Sequence, residues 1–578
     1  MTEAKWMLYT KKADFEGIGR TFGLSPVTAR IMRNRGLESE EEMERYLKGT
    51  MKDLHTPYLL PDMELAIELL QSKITQGKAI RIVGDYDIDG VCSTYLLYRA
   101  FTRVGARVDY EIPERIKDGY GINELIIEAA ARDGIDTILT CDNGIAAIQQ
   151  IARAKELGIT VVVTDHHDIQ MIEDEGGVLH ELLPPADAII NPKRKSSAYP
   201  FPNICGSLVA YKLVQVLYEV FGVPEAEWLE LVEFAAIATV GDVMGLQNEN
   251  RIVVKEGLKH LRKTSNLGLG KLIEKNHLSS DEITSYHIGF VIGPCLNAGG
   301  RLMTAKLALS LLLCRDEREA DRIADELKAL NDQRKDMTQD GIQQGVALVE
   351  ECYRDQPVLV VFLPDCHESL AGIVAGRLRE RYHKPSMVLT RAEGCVKGSG
   401  RSIEAYHMFD GLVEVKDLLL KFGGHPMAAG FSLAEENVEE FRRRLNTNGA
   451  EKLTLEDFVP KIWVDAAMPF EYITESLIKE LECLEPYGQG NEKPQFAQKD
   501  MWIRSARVMG RNRNVVRLSL VNERGTPMNA VVFTEGDSFM EEKGSSDRMD
   551  IVYYPTVNEY NGNRELQIVV KHWKFPSK

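Results

Sequence analysis

No C-x-x-C pair occurs in this sequence, and its nine cysteines are scattered and odd in number. That argues against a zinc ribbon or a disulfide framework and for the reduced thiols of the cytosol. No apolar run approaches the ~20 residues of a membrane span. The opening residues, MTEAKWMLYTKKADFEG, lack the apolar core of a secretory signal. The expectation is a cytoplasmic protein without a membrane partner. Basic charge is also short: 70 Lys and Arg against 87 Asp and Glu leave a net charge of −17. Taken whole, this opposes a nucleic-acid partner. A polyanion responds to local potential, however, and carboxylates that hold a metal count as negative until the metal arrives. Internal repeats and low-complexity tracts are absent. What remains is ordinary globular composition, 44% hydrophobic and 27% charged over 578 residues, enough for roughly three or four domains of ~150 residues.

The stretch RIVGDYDIDGV (81–91) places Asp85, Asp87 and Asp89 at alternate positions before Gly90. An EF-hand calcium loop begins in the same way but needs a bidentate Glu at its twelfth position. Here that position is Leu96. The preceding AIRIV is apolar and β-branched and reads as a buried strand; VCSTYLLYRAF reads as a helix. Strand, acidic turn and helix open a βαβ unit.

From residue 78 strands and helices alternate. Strands are predicted at 79–84, 107–113, 136–142, 159–165 and 187–191, with helices at 123–133, 146–158, 206–222 and 227–242. This is the pattern of a parallel sheet covered by helices. Residues 1–55 read as a polar helical segment with a capping pattern before an apolar-periodic run. No proline lies between Pro294 and Pro357, and Ile323, Leu327, Leu330 and Met337 share a helical face; a long helix is predicted to join two halves of the molecule. A second α/β region spans 346–450. After 455, short β-rich runs separated by turns predict a small antiparallel barrel or sandwich.

Ligands of open parallel sheets collect at the carboxyl ends of the strands. The first strand ends in Asp85, Asp87 and Asp89, the third in Asp142, the fourth in Asp165, His166 and His167, and the helix at 227–242 in Asp242. A single strand-end aspartate is ordinarily a cap or turn residue. Acids and imidazoles at four element ends in chain order demand more. Converging carboxylates raise one another's pKa and destabilise the fold unless a cation compensates. An oxygen–nitrogen set without thiolate suits Mn²⁺ or Mg²⁺ better than zinc. A bridging carboxylate would hold two such ions at the ~3.5–4 Å spacing of phosphoryl-transfer sites.

The segments GDYDIDG, CDNG, VTDHH and GDVM, in that order, resemble the four motifs of the DHH phosphoesterase superfamily. KFGGHPMAAGFS (421–432) resembles the GGH motif of the DHH-associated domain, and GPCLNAGGRL, LNDQR and SGRS resemble its bacterial RecJ branch. The resemblance covers nearly the whole chain. It implies a parallel-sheet DHH domain (56–265), a helical connector (266–345), an α/β DHH-associated domain (346–450) and an OB-fold (455–578). It implies a 5′→3′ exonuclease on single-stranded DNA that releases 5′-mononucleotides, uses two divalent ions (Mn²⁺ or Mg²⁺) and serves recombination and repair. Asp87, Asp89, Asp142, His166 and Asp242 would be metal ligands, with Asp142 the bridge; Asp85 would be a further ligand or stand just behind them. His167 would face the scissile phosphate, and Asp165 would orient a histidine through its ring N–H. Ser399 and Arg401 would hold the 5′-phosphate. Gly423, Gly424 and His425 would approach the nucleic acid, Asn297, Arg301 and Arg334 would contact the strand, and Arg115 would meet backbone phosphates. A monomer is expected, with a helicase and a single-strand-binding protein supplying the strand.

Three alternatives stand beside this. Superfamily hydrolases of short RNA or cyclic dinucleotides need no β module, which the region after 455 supplies. An RNA-preferring nuclease would differ only in its tolerance of the 2′-OH. A non-catalytic replication scaffold would have lost acidic motif positions, and this sequence keeps them. In the β module, Tyr487, Phe496 and Trp502 are either core residues or platforms for bases. The basic stretch at 507–517 is either a strand contact or an exposed hairpin.

Overall fold

A computed structural model describes residues 4–174, 176–560 and 562–576. Contacts divide the chain into two units. Of the described residues, the first holds those of 55–244 and 256–460; the second holds those of 4–54, 245–255 and 461–576.

The first unit opens with a five-stranded sheet, ordered Arg107–Glu111, Ala79–Val83, Thr137–Cys141, Thr160–Thr164, Ala188–Ile190. All four pairings are parallel. The strands Ala79–Val83 and Thr137–Cys141 are buried along their whole length, so they read as mostly apolar runs instead of alternating ones; Arg81, the one charge in the first, is paired with Asp109 and Asp133. Strand order reverses between Ala79–Val83 and its two neighbours, and such a switch point leaves a crevice beyond the carboxyl ends. Both strands that border the crevice are followed by aspartates. The predicted helix at 227–242 is two helices, Glu225–Leu229 and Val232–Gly241. The second presents Asp242 as its C-terminal cap.

That helix also buries Glu233, 4% exposed. Glu233 Oε1 accepts from the Thr264 hydroxyl at 2.8 Å, while Oε2 has no partner. Burial pushes its pKa up to about 7. Between the ordinary carboxylate range and pH 7 the folded state therefore binds more protons than the unfolded one, and stability falls as pH rises through that window. Glu233→Gln is expected to remove this loss, on the order of 3 kcal/mol between about pH 4.5 and 7. Denaturant unfolding at about pH 5 and pH 8 checks it; an equal pH dependence in both proteins would refute it.

The long helix runs from Glu317 to Leu348, after two shorter ones, Gly293–Leu302 and Lys306–Leu313. Ile323 and Leu327 are buried on it, as the spacing predicts; Leu330 and Met337 are half-buried. It packs on Gly293–Leu302 and on Ala371–Tyr382 of the second α/β region. That region has a mixed five-stranded sheet, ordered Leu419–His425, Ala428–Leu433, Cys395–Arg401, Ser386–Ala392, Leu359–Phe362. The glycine-rich 393–402 is mostly strand, with alternating burial along Cys395–Arg401. Gly398 is needed there because a Cβ would meet the Phe431 ring at 2.3 Å.

In the second unit, strands Phe496–Met509, Val515–Val521, Pro527–Phe533, Asn563–Lys574 and Arg548–Tyr560 pair in that order, and the last pairs back to the first. The ring is antiparallel, as predicted, except where Pro527–Phe533 meets Asn563–Lys574 in parallel. The N-terminal helices share a core with the barrel strands, through Ile31, Met32, Met43 and Tyr46. Arg251 explains part of this. It is 1% exposed, stacks 3.8 Å from the Tyr46 ring, and donates to the carbonyls of Tyr46, Cys483 and Leu484. Carbonyl oxygens and a π-face satisfy the buried guanidinium without any acid. Lys5–Leu8 is a strand paired with Lys461–Val464, which the polar reading of the N-terminus missed. Among the described residues no helix is long and apolar enough to cross a membrane.

Candidate active site

The helix Ile88–Arg103 begins inside the acidic segment DYDIDG. Asp87 caps it, its Oδ1 accepting from the amides of Asp89 and Gly90 at 2.9 and 3.1 Å. Asp89 lies in the first turn, and both its oxygens accept backbone amides, Gly206 N and Ser207 N, at 2.7 Å. These amides open the helix Gly206–Val220, so a helix N-terminus fixes this carboxylate. Gly206 is required: a Cβ there would meet the Asp142 side chain at 2.8 Å. Nothing in the sequence signals this contact, because only the fold brings residue 206 to 142.

Three groups of donors lie within 4.8 Å of one another: Asp85, Asp87 and Asp142; Asp89, His166 and Asp242; Asp142, His166 and His167. His166 Nε2 stands 3.2 Å from Asp142, 3.6 Å from Asp89 and 3.8 Å from Asp242. All the predicted ligands thus converge, with Asp142 at the junction. Burial, then the charges of Asp89, Asp87, Asp85 and Asp242, push the Asp142 carboxyl well above its usual range. Asp85 is raised by burial and by Asp87, and Asp242 to about 8 by burial and by Asp89. Asp142 Oδ1 is buried and accepts no well-formed hydrogen bond, with only His166 Nε2 beside it at 3.2 Å. Acids this close, with such an oxygen at their centre, fit divalent cations.

Asp165 is different. Its Oδ1 accepts from the His166 and His167 amides and from His167 Nδ1, the last at 2.7 Å; Oδ2 accepts from Ile145 N. Burial would raise this carboxyl, but the His167 bond and charge outweigh it and hold it at about 2. Reciprocally, burial opposes protonation of His167, and Asp165 outweighs it to hold the imidazole at about 9. Asp165 therefore orients His167, and His167 is half-buried at the crevice edge. Asn191, unremarked in the sequence, ties this corner: its Nδ2 donates to His167 O, and its Oδ1 accepts from Lys193 N. Lys193 pairs with Asp168 at 2.9 Å. That pair, with the nearby charges of His167 and His425, keeps the Asp168 carboxyl low. His425 ends the strand that carries the exposed Gly423 and Gly424, and it lies near enough for its charge to act on Asp168.

The predicted arginines cluster too. Arg115 stacks 4.6 Å from the Tyr86 ring. Arg301 donates to Ser369 O at 3.0 Å, and Arg334 to Asn331 Oδ1 at 2.9 Å. Burial, then Arg115 and Arg334, push the Arg301 pKa down to about 10. Burial and the charges of Arg115 and Arg379 lower that of Arg401. Among the described residues, none of Arg115, Arg301, Arg334 and Arg401 is paired with a carboxylate. Arg401 and Ser399 converge on the start of the helix Ala371–Tyr382: a Cβ on Gly372 would meet Arg401 Nη2 at 3.0 Å and Ser399 Cβ at 3.6 Å. Guanidiniums gathered without a paired carboxylate, although Asp87 acts on Arg301 and Asp85 feels Arg115, suit an anion beside a helix N-terminus. Asn297 is half-buried on Gly293–Leu302, the helix that carries Arg301.

Known proteins carry the same parts in the same order. The DHH family N-terminal domain matches residues 79–239, the DHHA1 domain 355–448 and the RecJ OB domain 464–572. The single-stranded-DNA-specific exonuclease RecJ of Bacillus subtilis is 35% identical over 95% of this chain and 68% of its own length. That of Haemophilus influenzae is 32% identical over 96% and 97%. The chain belongs to the RecJ family. Its fold agrees: RecJ from Thermus thermophilus, crystallised in complex with Mn²⁺, superposes with a TM-score of 0.84 at 27% identity, covering 99% of this chain and 80% of that one. The same RecJ in complex with Mg²⁺ gives 0.78. In the RecJ OB domain of this chain, Phe496 is core at 0% exposure and Trp502 is 41% exposed. Arg548 lies 3.9 Å over the Trp502 ring. Tyr487 is half-buried with its hydroxyl donated to Leu481 O. The stretch 507–517 is a hairpin between Phe496–Met509 and Val515–Val521, where Arg513 pairs with Asp537.

Proposed function

We propose that this chain is a Mn²⁺- or Mg²⁺-dependent exonuclease that degrades single-stranded DNA from its 5′ end, releases 5′-mononucleotides, and acts in DNA recombination and repair in the cytoplasm. Catalysis is assigned to the first α/β domain (56–265), end recognition to the second (346–450) and single-strand capture to the β module (455–578). The observation that carries this reading is the overlap of donor groups on Asp142.

Asp85, Asp87 and Asp142 would hold one ion; Asp89, His166 and Asp242, with Asp142 shared, would hold the other. When bound, the divalent pair would neutralise charge on the scissile phosphate and lower the pKa of the attacking water. His167 acts alongside. Its Nδ1–H is committed to Asp165, which leaves Nε2–H to meet charge that develops on the phosphate. The bond to Asp165 favours its protonated form. Arg115, Arg301 and Arg334, lacking acidic partners, take the phosphates next to the cut, with Asn297 beside them. Ser399, Arg401 and the amides at the start of Ala371–Tyr382 take the terminal phosphate. Gly423, Gly424 and His425 approach the strand from the second sheet. Trp502 with Arg548 gives the β module a stacking surface. A monomer suffices for this chemistry, with a helicase and a single-strand-binding protein as suppliers of the strand.

End-labelled single-stranded DNA, RNA and dinucleotides, assayed side by side with Mn²⁺, test the reading. The expected result is 5′-mononucleotides from single-stranded DNA. Equal cleavage of blunt duplex, or release beginning at the 3′ end, would overturn it.

A further inference from the structure

We infer that Tyr120 is a positioning residue of this active site, its hydroxyl locking the main chain of Asp142 and the ring of His167 into one arrangement. The inference rests on the nuclease reading above. It comes from the loop DGYGI, residues 118–122, which lies between the first two acidic motifs in sequence and belongs to neither.

The loop is built to lay one aromatic residue over the strand ends. Gly119 and Gly121 flank Tyr120 with φ of +81° and +68°, conformations that side chains rarely adopt. The Gly121 amide donates to Asp85 Oδ1 at 3.3 Å, and the Ile122 amide to Asn143 Oδ1 at 3.1 Å. Both strand ends that border the crevice therefore hold the loop. Asn143 Nδ2 in turn donates to Val83 O and Cys141 O, the last residues of those two strands.

From this base the Tyr120 hydroxyl donates to Asp142 O at 2.8 Å. Asp142 has φ of +61°, a left-handed conformation unfavourable for a residue with a side chain. Its carbonyl is held in place by Tyr120, and its side chain is the shared member of two donor groups. The same hydroxyl oxygen lies 3.1 Å from Nδ1 and 3.2 Å from Nε2 of His167. Near-equal distances place it against the ring between the nitrogens, while Nδ1 remains with Asp165 at 2.7 Å. Asp165 fixes one edge of the imidazole, and the hydroxyl restricts its swing. Tyr120 is itself braced: Tyr86 meets it edge to face at 6.4 Å, and Arg115 stacks on Tyr86. A ring present only for packing would not need the hydroxyl, so removal of one oxygen separates the two roles.

The test is Tyr120→Phe in the full chain, which keeps the ring and its contact with Tyr86. Loss of one hydrogen bond that holds a ligand and a catalytic imidazole is expected to lower kcat on 5′-phosphorylated single-stranded DNA about 10-fold, with KM within about twofold. Calorimetric titration with Mn²⁺ alone, without DNA, is expected to show affinity weakened about threefold or more. The melting temperature of the metal-free protein should stay within about 2 °C. A kcat within about twofold of wild type, an unchanged Mn²⁺ affinity, or a melting temperature lowered by more than about 5 °C would each overturn the inference. If the wild-type chain failed to cut DNA, the functional reading would fall, and the Mn²⁺ titration would still decide whether Tyr120 holds Asp142.

Discussion

Asp142→Asn is expected to lower kcat on single-stranded DNA by about 10³-fold or more, since in the proposed site several kcal/mol of charge stabilisation depend on Asp142 as the shared ligand. The same change is expected to make the metal-free protein more stable. Asp142 is 2% exposed, and burial with four neighbouring aspartates holds its carboxyl well above the usual range. The folded state thus favours the neutral carboxyl, and at neutral pH the ionised form costs stability. Asparagine has the shape of that neutral carboxyl and removes the repulsion. Its metal-free melting temperature should rise by a few degrees, while the rise that Mn²⁺ produces in the wild type through preferential binding should shrink. Thermal melts with and without Mn²⁺, beside single-turnover kinetics, read all three. Near-normal kcat together with an undiminished Mn²⁺ response would remove Asp142 from the bridge.

Arg401→Ala is expected to raise KM for 5′-phosphorylated DNA roughly 50-fold and to leave KM for 5′-hydroxyl DNA within a few fold. A charge-assisted contact is typically worth about 2–3 kcal/mol, which corresponds to that ratio. Arg401 is already held without substrate: its Nη1 donates to Gly400 O at 2.8 Å, and its Nη2 lies over Gly372. Little side-chain ordering is left to occur on binding. An unchanged preference for phosphate over hydroxyl would place end recognition elsewhere.

Much of the site is legible in the sequence because parallel strands put their last residues at one edge of the sheet. Asp85, Asp142, Asp165 and His166 follow strands whose apolar runs mark their limits closely, and each lies where that rule puts it. Asp242 was legible as the end of a helix, although that helix starts later than the pattern suggests, with a break between Leu229 and Val232. Less legible were groups whose role is a backbone amide or a close approach. Gly206 and Ser207 serve Asp89 through their N–H groups, which nearly any residue type carries. Tyr120 is one aromatic among many until the loop folds over the strand ends. Arg251 drew no reading from the sequence, yet it is among the most buried side chains of the molecule.

Residue order alone was enough for the parallel sheet, for the identity of the acids and imidazoles, and for the succession of elements that carry them. Hydrophobic runs and strand-end positions are local properties, and local spacing carries them. Folding was needed to establish which oxygens remain unpartnered, which histidine Asp165 orients, which arginines lack acids, and that residues 4–54 and 245–255 join the C-terminal barrel in one unit. Those outcomes depend on pairs far apart along the chain, whose separation is set by packing and is written in no single stretch of it.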